Sequence, residues 1–183
     1  MKNILSIVII SLLVLLPNED LQGQKIGRKV EWQIPAMTCI PTSKTIKENK
    51  YIAIGGVLRF KQGKTGQLVF TSPIAKPLPS GKYSIGGKVK ITNTNESTNP
   101  QSVIISLRKK NMNTGVVETV LQTAPIQGSL LKNSGYQTIF SKTPRAIQFD
   151  FNNYTYWIEL SFRRKNPSSI RVVSSIKLVR GVG

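Results

Sequence analysis

Beyond residue 23, apolar and polar positions alternate in short stretches broken by Gly, Pro, Asn and Ser, the two-residue period of half-buried β-strands. The clearest run is Tyr154 to Arg163. Tyr154, Tyr156, Ile158, Leu160 and Phe162 fall on one face, and Thr155, Trp157, Glu159, Ser161 and Arg163 on the other. Tyr83, Ile85, Val89 and Ile91 likewise oppose Ser84, Lys88, Lys90 and Thr92, and Val103, Ile105 and Leu107 repeat the rule. Further strands are expected at 30–34, 51–60, 67–71, 116–122, 136–140, 146–151 and 170–180. With no window that sustains a helical period, the pattern predicts an all-β fold: an antiparallel two-sheet sandwich of about ten strands.

The connections carry turn chemistry: Pro77, Pro79 and Gly81 in KPLPSGK, NMNTG at 111–115, FNN at 151–153 and NPSS at 166–169. No long linker and no internal repeat interrupts the series, so residues 24–183 are expected to form one domain. Four landmarks recur along it: Ile34-Pro35-Ala36, Leu78-Pro79-Ser80-Gly81 before a strand, the basic end Leu107 to Lys110, and Asn153 with Tyr154 and Tyr156. In these the chain resembles a group of uncharacterised secreted bacterial β-sandwich proteins. The resemblance spans most of residues 24–183 and implies a jelly-roll-like sandwich. It supplies no catalytic residues to carry over, and the lysine-rich faces here are heavier than its pattern requires.

The N-terminus has a different grammar. Lys2 precedes an unbroken apolar run from Ile4 to Leu16, closed by Pro17 and a polar stretch. That is the layout of a secretory signal peptide, and the run is shorter than the roughly 20 residues a membrane-spanning helix needs. Cleavage is expected near Gly23, with an uncleaved anchor as the alternative, so the chain is expected outside the cell or in the periplasm. The full sequence carries 26 Lys and Arg against 8 Asp and Glu, a net charge of +18. Loss of residues 1–23 removes Lys2, Glu19 and Asp20, leaving 25 basic and 6 acidic residues and a net +19. Cys39 is the only cysteine, so no internal disulfide can form. Its setting between apolar neighbours reads as a small buried hydrophobe, against an intermolecular disulfide or reactive thiol.

The chain contains no histidine, the usual near-neutral acid–base group and commonest transition-metal ligand. Serine triads, zinc sites and cysteine–histidine pairs are excluded in their usual forms. A glycan hydrolase would need two of Glu31, Glu48, Glu96, Glu118, Asp150 and Glu159 to face one cleft. Glu96 and Glu118 sit in or beside polar turns, and Glu159 reads as a neutralising partner among arginines. A phosphate loop at Gly63-Lys64-Thr65 fails on spacing, because Leu58 stands where glycine is required. Oxygen ligands for calcium cluster at Asp150, Asn152 and Asn153, but a tight Asn-rich turn explains the same residues. The expectation is a non-enzyme with no cofactor and no bound metal.

Two basic triplets remain, Arg108-Lys109-Lys110 and Arg163-Arg164-Lys165, each ending a predicted strand. If every connection between those strands reverses direction, both triplets emerge on one rim. Lys88, Lys90, Arg171 and Lys177 would add a stripe, with an exposed Trp157 as stacking platform. Such a surface suits an anionic polysaccharide or cell-envelope polymer through summed potential and counterion release. The competing reading is that lysines at strand ends only keep the sheet soluble. Export and the lack of a recognition motif disfavour nucleic acid as partner. A subunit of a surface assembly, associating through an apolar sheet face, is the other class that the sequence allows.

Overall fold

In a computed structural model the described residues, 28–92, 103–124, 135–165 and 170–181, form twelve strands in two antiparallel sheets. The predicted leader, Glu96 and the 166–169 turn lie outside these residues. In chain order the elements are β1 (Arg28–Pro35), β2 (Ile40–Pro41), α1 (Ser43–Glu48), β3 (Tyr51–Ile54), β4 (Val57–Phe60), β5 (Gly66–Pro73), β6 (Gly81–Thr92), β7 (Val103–Asn111), β8 (Val117–Gln122), β9 (Gln137–Phe140), β10 (Arg145–Ile147), β11 (Tyr154–Arg164) and β12 (Ile170–Gly181). Sheet A is built on the long β6–β12 pair. β9 and β10 flank β6, while β1 and β4 flank β12, with β3 outside β4. Sheet B runs β2-β5-β11-β7-β8. Successive segments swap between the sheets, the interleaving of a jelly-roll-like sandwich.

The alternation predicts the core correctly. On β11, Tyr156, Ile158, Leu160 and Phe162 are buried, facing Tyr83, Ile85, Val89, Ile176 and Leu178 of sheet A across the interior. Two aromatic clusters close the two ends of this core. Phe60 and Phe70 pack on Phe162 at 5.3 and 5.7 Å, and Phe149 packs on Tyr83 and Tyr156 at 5.3 and 5.0 Å. Predicted turns behave as turns. Tyr83 Oη donates to Pro79 O at 2.6 Å, bracing the Leu78–Gly81 corner, and Asn111 Oδ1 accepts from the Asn113 and Thr114 amides at 2.9 Å each. Lys64 N donates to Lys61 O in a turn where Gly63 has φ 69°, so the glycine there shapes a bend between strands.

Three sequence expectations are corrected. The single strand at 51–60 is a hairpin, because Gly55 and Gly56 both take positive φ (60° and 80°) in a two-residue turn between β3 and β4. A helical turn, α1, forms at Ser43–Glu48 despite the lack of an apolar period. The Thr42 hydroxyl accepts from the Thr45 amide at its start, and Asn49 closes it in the left-handed conformation. The expected strand at 146–151 shrinks to Arg145–Ile147 and does not reverse direction after β9. Both β9 and β10 run antiparallel to β6, along the same edge, separated by a bulge at 141–144. Ser141 bridges it: its amide donates to Ile85 O at 2.8 Å and its hydroxyl accepts from Ile85 N at 3.3 Å.

Gly86 and Gly87 mark the tightest packing. A methyl group on Gly87 would lie 2.5 Å from both Ile105 Cδ1 and Ser175 O, so the two sheets meet here without side-chain spacing. Gly87→Ala is expected to lower unfolding free energy by about 1–3 kcal/mol, since the obstruction includes backbone. Urea denaturation of the variant measures it, and an unchanged midpoint contradicts this packing.

Candidate functional site

The two triplets do not share a rim. β7 and β11 are direct antiparallel neighbours, with Lys109 opposite Tyr156 and Val103 opposite Phe162. Arg108–Lys110 therefore lies at one end of sheet B and Arg163–Lys165 at the other, roughly 27 Å away along eight strand residues. The physical reason is the unbroken direction of β9 and β10. Counted as two reversing strands, they give the wrong parity.

Each triplet also loses its middle member to the fold. Lys109 pairs with Glu118 at 3.0 Å and sits 4.5 Å from the Tyr154 ring centroid, and its bond to Glu118 raises the ammonium pKa. Arg164 is buried at the opposite end, where it donates to Lys61 O at 3.1 Å and lies over Phe60 at 5.7 Å. Arg108 is half-buried and bonded to the Thr119 hydroxyl, while Lys110, Arg163 and Lys165 are exposed. Trp157 is half-buried on the outer face of sheet B, opposite Arg108 on one side and Pro73 on the other. Glu159 faces Thr71 and Ser106 directly, not arginines. Arg171, expected in the exposed stripe, is buried.

The concentrated positive surface is the outer face of sheet A. Strand register sets Lys82, Lys88 and Lys90 outward on β6, Lys177 on β12, Arg28 on β1 and Arg59 on β4. In cross-strand rows, Arg59 lines up with Val172 and Lys90, and Phe140 with Gly86, Lys177 and Gln33. Lys82 to Lys90 covers roughly 27 Å of strand. Among the described residues no acidic side chain occupies a register position on this face. Glu31 bonds Arg180 at 2.8 Å, Glu48 pairs with Lys50 at 3.3 Å, Glu118 holds Lys109, and Asp150 and Glu159 lie elsewhere.

Two aromatic rings sit among these cations, and the sequence reading missed both. Phe140 lies across Gly86, where a methyl group would come within 2.5 Å of the ring. Its centroid is 5.0 Å from Lys177 Nζ and 5.9 Å from the Arg28 guanidinium. Tyr136, 44% exposed, lies 5.8 Å from Lys88 Nζ. The glycine pair inside a strand was the available signal, since it marks close approach of another group. Below this edge a cleft of about 430 Å³ opens between β8 and the 141–144 bulge, with Lys142 and Arg145 in its lining.

Against this geometry stand the comparisons with known proteins. No family profile matches the sequence, and no curated protein is a detectable relative. Among solved structures, the xylan-binding module CBM15 overlaps with a TM-score of 0.36 at 11% identity, covering 68% of this chain and 95% of that one. A CBM29-2 mutant complexed with cellulohexaose gives 0.32 at 15% identity, covering 88% and 84%. A cyclase from Fischerella sp. TAU in complex with 4-(1H-indol-3-yl)butan-2-one gives 0.38 at 10%, covering 89% and 93%. The likeness is partial. What this surface can hold is set by the chain's own residues.

The remaining candidates for chemistry are occupied by local structure. Asp150 Oδ1 accepts from the Asn152 and Asn153 amides at 3.0 and 3.2 Å, and Oδ2 from Asn153 Nδ2 at 2.8 Å, which is a self-satisfied turn. Among the described residues no group of three or more His, Cys, Asp or Glu could hold a metal. Cys39 is buried, and burial pushes its thiol up to about 11, so it behaves as the small hydrophobe expected. No helix among the described residues is long and apolar enough to cross a membrane.

Two expectations follow. Arg164→Ala should cost about 1–3 kcal/mol of stability, while Arg163→Ala beside it stays within about 0.5 kcal/mol. Denaturation midpoints compare them, and equal effects would refute the burial of Arg164. The bond from the Asn153 amide, helped by the backbone N–H groups of Asn153 and Asn152, holds the Asp150 carboxyl below the ordinary aspartate range. A depressed folded-state pKa means the turn is fully supported above the ordinary value and loosens as pH falls through the lowered one. Amide chemical shifts of Asn152 and Asn153 should therefore titrate with a midpoint below that of an ordinary aspartate.

Proposed function

We propose that this chain is a non-catalytic binding module for an anionic glycan or cell-surface polymer, held on the outer face of sheet A. The observation that carries the reading is the set of six cations, Arg28, Arg59, Lys82, Lys88, Lys90 and Lys177, on a face with no acidic register position among the described residues. A row of like charges fixed on a rigid sheet raises the local potential and draws a polyanion by releasing its condensed counterions. The separation of the described acids supports the non-catalytic half. Glu31, Glu48, Glu118, Asp150 and Glu159 sit on different strands, helix and turn, with their own local partners or neighbours.

The reading places the primary contact on sheet A instead of the sheet B triplets. Arg108, Lys110, Arg163 and Lys165 belong to the other sheet, where salt screens them from this face, and with Trp157 beside Arg108 they form at most a secondary contact. The leader-like N-terminus, read as an export signal, would bring this face to the envelope polymers and acidic polysaccharides outside the cytoplasm.

The full chain, freed of any leader, is expected to be retained on immobilised heparin and released as salt rises. Lys88→Ser/Lys90→Ser/Lys177→Ser should elute at clearly lower salt, with the slope of log affinity against log salt reduced by about two. Arg108→Ser/Lys110→Ser/Arg163→Ser should change both far less. If the sheet A variant elutes with the unmodified chain, or the sheet B variant loses as much, the face is misassigned.

A further inference from the structure

Charge alone does not distinguish a polyphosphate from an acidic sugar polymer, but the rings among the cations do. Phe140 and Tyr136 lie four residues apart on and just before β9, about 13 Å along an extended strand, the span of a short oligosaccharide. Flexible outward cations lie over each ring, Lys177 and Arg28 at Phe140 and Lys88 at Tyr136, and a sugar seated there would exchange places with them, leaving their charged ends at its rim. Phe140 can lie across β6 only because Gly86 carries no side chain, since a methyl group there would run into the backbone oxygen of Ile139 as well as the ring.

We infer that the outer face of sheet A takes an acidic polysaccharide, seated so that sugar rings rest at Phe140 and Tyr136 while their carboxylate or sulfate groups reach the adjoining cations. The inference rests on the polyanion reading above and adds the ligand class. A pyranose ring offers a face of C–H groups, partly positive, that suits the electron-rich face of an aromatic ring. A carboxylate projecting from its rim then falls where a lysine or guanidinium can bond it with charge assistance. A phosphodiester or polyphosphate chain has no such face and would gain from the lysines only. Single-stranded nucleic acid also has stacking faces, so a nucleic acid probe belongs in the test beside the sugar polymer.

Replacing the rings while keeping apolar bulk tests this on the intact chain. Phe140→Leu/Tyr136→Leu should weaken binding to polygalacturonate about fivefold to tenfold and leave binding to inorganic polyphosphate of matched length within about twofold. Lys88→Ser/Lys90→Ser/Lys177→Ser should weaken both, so failure of the polyanion reading is seen separately from failure of this one. Because Tyr136 is surface-exposed, Tyr136→Leu alone keeps the test valid if the double variant is unstable, with a loss of about threefold expected on polygalacturonate. No loss on polygalacturonate, or an equal loss on polyphosphate, overturns the proposal. A larger ring-dependent loss on oligothymidylate than on polygalacturonate also overturns it, in favour of a nucleic acid.

Discussion

The register of β6 against β12 is the constraint on which everything else depends. From Ile170 opposite Thr92 to Arg180 opposite Tyr83, two long strands share one antiparallel ladder. The period of two along β6 sends Tyr83, Ile85 and Val89 inward and Lys82, Lys88 and Lys90 outward. A slip of one residue would exchange these sets, burying lysines and exposing the core, so hydrophobic burial itself holds the cationic face in place. The bulge at Ser174 preserves this arrangement on β12, because it resets the phase so that both Val173 and Ile176 stay buried.

Much of the fold was legible from alternation because burial on one face leaves a direct trace in the sequence. The inward set of β11 was readable residue by residue, and so was the turn chemistry at Asn111 and Asp150. Pairing order left no such trace. The rim of six cations failed because β9 and β10 form one broken edge strand, and a bulge bridged by the Ser141 hydroxyl looks like a turn in sequence. Arg164 and Arg171 were misjudged differently. Both fall on the inward parity of their strands, so period two already pointed to their burial, and the charge of the side chain obscured it. Lys88, Lys90 and Lys177 were correctly seen as outward, whereas Phe140 and Tyr136 acquire meaning only once Gly86 brings the ring across its neighbour.

The sequence suggested a diffuse positive charge, since lysine and arginine occur in nearly every segment. The three-dimensional distribution is uneven for a reason that lies with the acids. Glu31, Glu48 and Glu118 neutralise cations at the end of β12, beside a helix and in a hairpin, and Glu159 lies on the outer face of sheet B. Positive potential survives where the acids are missing, on the outside of sheet A. Lys109 and Arg164 illustrate the complementary use of charge, since each lies over an aromatic ring of the Tyr154 and Phe60 clusters at opposite ends of the core. Long side chains of this kind cover apolar rings with their stems and keep the polar head near solvent or a carbonyl.

The broken edge formed by β9 and β10 has a consequence for crowding. A continuous exposed strand is a template on which another chain can add backbone hydrogen bonds, and a protein gathered along a polymer is held at high local concentration. Here the outer strand is interrupted after four residues, kinked by the Ser141 bulge and resumed for only three. Copies meeting along this side of sheet A would find no straight ladder to extend, so the edge that borders the cationic face resists backbone pairing between neighbours.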